Sequence, residues 1–161
     1  MRPAYWRAAS LGELMRRARE LPARTMIVDV EPLVTHWDSG QEALDGGLAR
    51  IVGEAWTAPE LQVVCFATNS SRRPSVLRSA PGVRVVYLAS AGKPLRTAAY
   101  RGFPRPAMVV GDQVVMDGVL ARRLDCAFVL YEPVVPGVPA GTRLMRAYGR
   151  LVRPLLFTGA G

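Results

Sequence analysis

Lysine is almost missing from this chain: Lys93 is the only one, against twenty arginines, and His36 is the only histidine. Cysteine is nearly as scarce. Cys65 and Cys126 each sit inside an apolar run, which reads as two buried thiols and argues against a disulfide framework or a zinc site. Aromatic residues make up 7% of the chain, and no stretch alternates them with basic residues in the manner of a nucleic-acid platform. Long hydrophobic runs are lacking too. The longest, such as Leu61 to Ala67 and Ala107 to Gly111, fall far short of the roughly 20 residues that span a bilayer. Met1 to Leu21 carries arginines throughout and has no apolar signal core, so a cytoplasmic protein is expected, with an organelle-targeting reading of the basic start left open.

What is present is apolar and basic. Half of the 161 residues are hydrophobic, enough for one domain spanning 1–161 with a sizeable core. No repeat interrupts it, and the Pro- and Gly-rich stretch from Glu132 to Gly141 is the one candidate breakpoint. Net charge is +8 and the isoelectric point about 10.5. Such a balance favours anionic partners (phosphorylated substrates, nucleic acid or acidic lipid surfaces) without choosing among them.

Ser10-Leu11-Gly12-Glu13 is a capping-box pattern and predicts a short amphipathic helix over 11–20. Five runs have strand length and strand-forming composition: Thr25 to Val30, Leu61 to Ala67, Val83 to Leu88, Ala107 to Gly111 and Ala127 to Tyr131. Helical stretches are expected between them at Gln41 to Trp56, Arg73 to Ser79, Leu95 to Tyr100 and Gly118 to Leu124. This alternation predicts an α/β fold, a doubly wound three-layer sandwich on a five-stranded parallel sheet. Beyond it, Arg143, Arg146, Arg150 and Arg153 recur at helical spacing with Leu144, Tyr148 and Leu151 elsewhere on the turn. A basic amphipathic helix over about 142–153 is expected, one that packs on its own domain or offers a face to an anionic membrane surface or a partner protein.

The chemistry gathers where strands should end. Met26-Ile27-Val28-Asp29-Val30-Glu31 and Met108-Val109-Val110-Gly111-Asp112 each run from apolar strand into carboxylate. In an open parallel sheet such ends converge on one crevice, so Asp29, Glu31 and Asp112 are expected to meet there. A carboxylate attacks a phosphoryl group only when a cation suppresses the repulsion between two anions. Mg²⁺ suits that task, because it takes oxygen ligands and is held by one or two carboxylates together with substrate phosphate. After the second run, Thr68-Asn69-Ser70-Ser71 offers hydroxyl, amide and backbone donors to phosphoryl oxygens. Lys93, between Gly92 and Pro94, supplies a compact point charge suited to the same phosphoryl group.

Taken in order, Asp29-Val30-Glu31, Thr68-Asn69, Lys93-Pro94 and Gly111-Asp112-Gln113 with Asp117 resemble the four motifs of the haloacid dehalogenase (HAD) superfamily. More narrowly they resemble its small class IIIA, YqeG-type phosphatases, a branch similar to the mitochondrial phosphatidylglycerophosphate phosphatases. The likeness covers about 25–133, and the Leu-rich N-terminal helix and the Trp37-Asp38 pair suit that branch. It implies a Rossmannoid core and a phosphatase working through an aspartyl-phosphate with Mg²⁺. Asp29 would be the nucleophile and a metal ligand. Glu31 would be the general acid and base, with its backbone carbonyl on the metal. Thr68, Asn69 and Lys93 would bind the phosphoryl group, Asp112 would bind metal, and Asp117 would support the metal's water shell or orient Lys93.

The departures are equally specific. The family has Asp-x-Asp followed by Asn-Thr, whereas this chain has Asp29-Val30-Glu31-Pro32-Leu33, with the second carboxylate one methylene further out. Met116 replaces a threonine, and Leu120-Ala121-Arg122 replaces a glycine-rich turn. The spacing between motifs leaves little chain for a cap domain, and by resemblance an open site favours a bulky phosphorylated substrate. A second reading is a HAD-like binding or regulatory protein with attenuated turnover.

Overall fold

Alternation within Met26-Ile27-Val28 sets the architecture. Met26 and Val28 belong to one buried cluster and Ile27 to another, so the strand that carries them is covered on both faces. The computed structural model describes residues 3–132 and 139–160, and these build an α/β fold on a single parallel sheet. Six strands have five residues each: β1 (Ala4–Ala8), β2 (Thr25–Asp29), β3 (Val63–Ala67), β4 (Arg84–Leu88), β5 (Ala107–Gly111) and β6 (Ala127–Tyr131). A three-residue β7 (Thr158–Ala160) completes the order β4-β3-β2-β5-β6-β1-β7.

The five expected strands are all present, but the sheet exceeds five. β1 pairs with β6, and β7 pairs with β1. Ala4-Tyr5-Trp6-Arg7-Ala8 has no valine or isoleucine, and β7 is too short to show a period, so neither carries the composition that marks the other strands. Tyr5 and Ala8 are the buried positions of β1, and Tyr5 packs with Phe128 and Phe157.

Helix α1 (Leu11–Glu20) begins as its sequence predicts. Ser10 Oγ accepts from the Glu13 N–H at 3.2 Å, while the Glu13 carboxylate accepts from the Ala9 N–H at 2.9 Å, one residue before the cap. Leu14, Met15 and Ala18 of α1 join Leu44, Leu48, Ile51 and Val52 of α2 (Gln41–Ala55) in the cluster with Met26 and Val28. The opposite face is covered by a π-helical turn (Val114–Gly118) running into α3 (Val119–Leu124), and by α4 (Ala140–Leu156). Gly149 lets α4 close on that turn, since a Cβ there would lie 3.0 Å from Val114 Cβ. α4 is longer than expected and holds Pro154 within it.

Two expected helices are corrected. The segment 73–79 is irregular and mostly exposed, with Pro74 near its start and no apolar face to bury, and a short helix without tertiary packing does not hold. Leu95 to Tyr100 forms only a 3-10 turn at Ala98–Tyr100. Most of the candidate breakpoint, residues 133–138, lies outside the described residues. Among the described residues no helix is long and apolar enough to cross a membrane.

The strand order fixes where a site forms. From β2 the chain moves outward through β3 to β4, then returns to add β5 and β6 on the other side. The reversal lies between β2 and β5, where Val28 pairs with Val110 and both strands end in the same crevice.

Candidate active site

Asp29 ends β2, Thr68 follows β3, Lys93 lies on the loop after β4, and Asp112 follows β5. The sheet brings together residues that the sequence separates. Lys93 Nζ sits 2.7 Å from Asp29 Oδ1 and 2.8 Å from Asp117 Oδ1, with its side chain 4% exposed. Asp117 reaches this point because Gly111 leaves room, the Asp117 carboxylate occupying the place where a Cβ on Gly111 would stand.

Asn69 lines the cleft and holds the loop that carries Lys93. Its amide donates to the Lys93 carbonyl at 2.9 Å and its Oδ1 accepts from the Lys93 N–H at 2.7 Å. Both functional ends of the side chain clamp the lysine loop. Thr68 Oγ1 donates to Glu31 Oε2 at 2.8 Å and accepts from the Ser70 N–H at 3.0 Å. Glu31 Oε1 lies 3.8 Å from an Arg72 guanidinium nitrogen.

Arg72 carries no motif and was not singled out by its sequence. Its guanidinium also donates to the backbone carbonyls of His36 (3.2 Å) and Ser39 (2.7 Å), tying the chain after β2 to the chain after β3. His36 contributes that carbonyl and its side chain does not line the cleft. A cleft of about 250 Å³ is lined by Asp29, Glu31, Trp37, Thr68, Arg72 and Lys93, with Asn69, Ser70, Gln113 and Met116 completing it.

Arg146 of α4 is the second unexpected participant. Its Nε and an Nη both donate to Asp112 Oδ2, at 3.0 and 2.8 Å, and Asp112 is 1% exposed. The helical spacing of Arg146 marked it as one of a basic row, and nothing in that row distinguished it from Arg143 or Arg150. Only packing of α4 on the π-helical turn brings it to the sheet.

Three carboxylates face two cations here, and the titration behaviour reflects it. Burial, helped by the Asp117 carboxylate, raises Asp29 well above the ordinary carboxylate range even though Lys93 pulls the other way. Burial likewise lifts Asp112 to about 6 against the pull of Arg146. Burial opposes the charge on Lys93, but Asp117 and Asp29 together hold it above the ordinary lysine range, so the ammonium stays protonated. The buried thiols are inert by the same reasoning, with Cys65 pushed up to about 12 by burial.

Asp112 Oδ1 and Asp117 Oδ2 are buried with no hydrogen-bond partner among the described residues. Carboxylate oxygens of Asp29, Asp112 and Asp117 lie within 4.8 Å of one another. Orphaned buried oxygens beside a carboxylate raised by burial are the pattern of a site short of positive charge, and an all-oxygen donor set fits a hard divalent cation such as Mg²⁺. Asp29 and Asp112 were expected as ligands, and Asp117 as a support of the metal's water shell or of Lys93. Asp117 joins Asp29 and Asp112 in the cluster, while the Glu31 carboxylate turns to Thr68 and Arg72.

The arrangement can hold a cation against three carboxylates, keep a protonated lysine beside two of them, and present a glutamate across a small open cleft. No protein-family model matches the chain, and no curated protein or solved structure was found similar to it.

Proposed function

We propose that this protein is a Mg²⁺-dependent phosphomonoesterase of the haloacid dehalogenase type, acting through Asp29. The observation that carries the reading is Lys93 lodged between Asp29 and Asp117 at 2.7 and 2.8 Å, with Glu31 and Thr68 on the same cleft. Asp29, Asp112 and Asp117 would hold the cation, which when bound neutralises charge on the phosphoryl group so that an anionic nucleophile can approach.

The chain's own residues then do the following. The Asp29 oxygen that Lys93 does not take forms a bond to phosphorus as the bond from phosphorus to the substrate oxygen breaks. Protonated Glu31 gives its proton to that leaving oxygen, and an alcohol departs. In the second step Glu31 takes a proton from water, the water oxygen attacks phosphorus, and inorganic phosphate leaves with Asp29 regenerated. Lys93 remains a cation throughout and offsets the charge of the phosphoryl oxygens. Thr68 has one proton to donate: to Glu31 Oε2 in the empty cleft, and to a phosphoryl oxygen once substrate occupies it.

Hydrolysis of an aryl phosphate, with and without Mg²⁺, tests the reading beside Asp29→Asn and Glu31→Asp. Turnover that requires Mg²⁺ and is lost in Asp29→Asn supports it. A rise in Glu31→Asp would show that the extra methylene detunes the acid and base, a misplacement of about 1 Å being worth on the order of 10²-fold. Absence of turnover in both wild type and Glu31→Asp, across aryl, lipid and nucleotide phosphates, would leave the attenuated binding protein as the better reading.

A further inference from the structure

α4 has two unlike faces. Toward the domain, Arg146 reaches Asp112, the Arg153 guanidinium lies 5.2 Å from the centre of the Tyr5 ring, and Gly149 is buried against Val114. Toward solvent stand Leu144, Tyr148, Leu151 and Leu155, spaced by four, three and four residues so that they form one stripe. They are 72%, 56%, 74% and 70% exposed. A row of four large side chains so open to water is not the surface of a helix that has found all its neighbours.

The charge beside the stripe names the neighbour. Arg143 and Arg150 are exposed along one flank and make no ion pair among the described residues. α4 contains no acidic residue, and the last acidic residue of the chain is Glu132. Pairing two copies of α4 along the stripe would bring arginine rows together with no carboxylate on either helix to meet them. A surface that is apolar within and negative at its boundary satisfies both features at once, and the net charge of +8 acts in the same direction. Because the stripe already faces outward, α4 can dock without releasing Arg146 from Asp112.

We propose that α4 seats this protein on an anionic phospholipid surface, with Leu144, Tyr148, Leu151 and Leu155 entering the acyl boundary and Arg143 and Arg150 meeting the headgroups. The proposal does not depend on the phosphatase reading.

Co-sedimentation of the full chain with vesicles tests it, comparing phosphatidylcholine alone with phosphatidylcholine containing phosphatidylglycerol. Two double variants are compared, Leu144→Asn with Leu151→Asn and Arg143→Gln with Arg150→Gln. All four positions are exposed, and circular dichroism melting confirms that each variant folds. Binding to the anionic vesicles is expected to exceed binding to the neutral ones by on the order of tenfold and to fall with added salt. The leucine variant is expected to lose most of that binding, and the arginine variant to lose its preference for anionic lipid. Equal binding to both vesicle types, or a leucine variant that binds as wild type does, would overturn the proposal. So would a concentration-dependent dimer in sedimentation velocity that the leucine variant abolishes, because a second copy would then own the stripe.

Discussion

Asp112 sets folding against the site at the scale of one residue. Its carboxylate is buried, holds one oxygen on Arg146 and leaves the other without a partner. Burial lifts it from 3.8 to about 6. A carboxylate raised in the folded state favours folding only while protonated, so its contribution is present below about pH 4 and is lost as pH rises through about 6. That gap corresponds to roughly 3 kcal/mol of folding free energy. Asp112→Asn is therefore expected to be more stable than wild type at pH 8 without divalent cation, by on the order of 1–3 kcal/mol, with the difference closing as pH falls toward 4. Urea denaturation across that range, in chelator, measures it. Asn69 shows the same scale from another side: its type and place suggest phosphoryl contact, yet its hydrogen bonds go to the backbone of Lys93. Residue type gave the neighbourhood and hydrogen-bond partners gave the task.

At the scale of elements, the five strands of valine-rich or otherwise strand-forming composition were legible, edge strand β4 included, and β1 and β7 were not. β2, β3 and β5 are buried on both faces, and Val63-Val64-Cys65-Phe66-Ala67 can hardly be read otherwise. β1 and β7 depend on partners far away in the chain, β6 and each other, and no local pattern announces that. The helices divide in the same way. α1 and α2 carry an apolar stripe that the sheet needs, whereas 73–79 offers none and stays irregular. The carboxylates at strand ends could be foreseen because parallel strands deliver their ends to one crevice, while Arg72 and Arg146 arrive through loop and helix packing that no spacing encodes. The junction of α4 with the π-helical turn is therefore the element-scale test. Gly149→Leu would drive a side chain into Val114 and shift the helix. It is expected to cost about 1–3 kcal/mol in denaturant unfolding and to weaken cation binding by disturbing Arg146 on Asp112.

For the whole molecule, the sheet reversal between β2 and β5 collects three carboxylates into a space that folding alone leaves short of positive charge. A cation bound there should stabilise the fold by mass action, about 2.7 kcal/mol at a concentration 100 times the dissociation constant. Mg²⁺ is accordingly expected to raise the melting temperature of wild type and to leave Asp112→Asn nearly unmoved, reversing their order in chelator. A calorimetric scan with and without Mg²⁺ reads both. The most direct test of the central claim is mass spectrometry of the protein acid-quenched during turnover of a phosphomonoester in Mg²⁺. A phosphoryl group on Asp29, absent from Asp29→Asn, is the predicted result. Mg²⁺-dependent turnover that survives in Asp29→Asn, or a phosphoryl group on a different residue, would contradict the account.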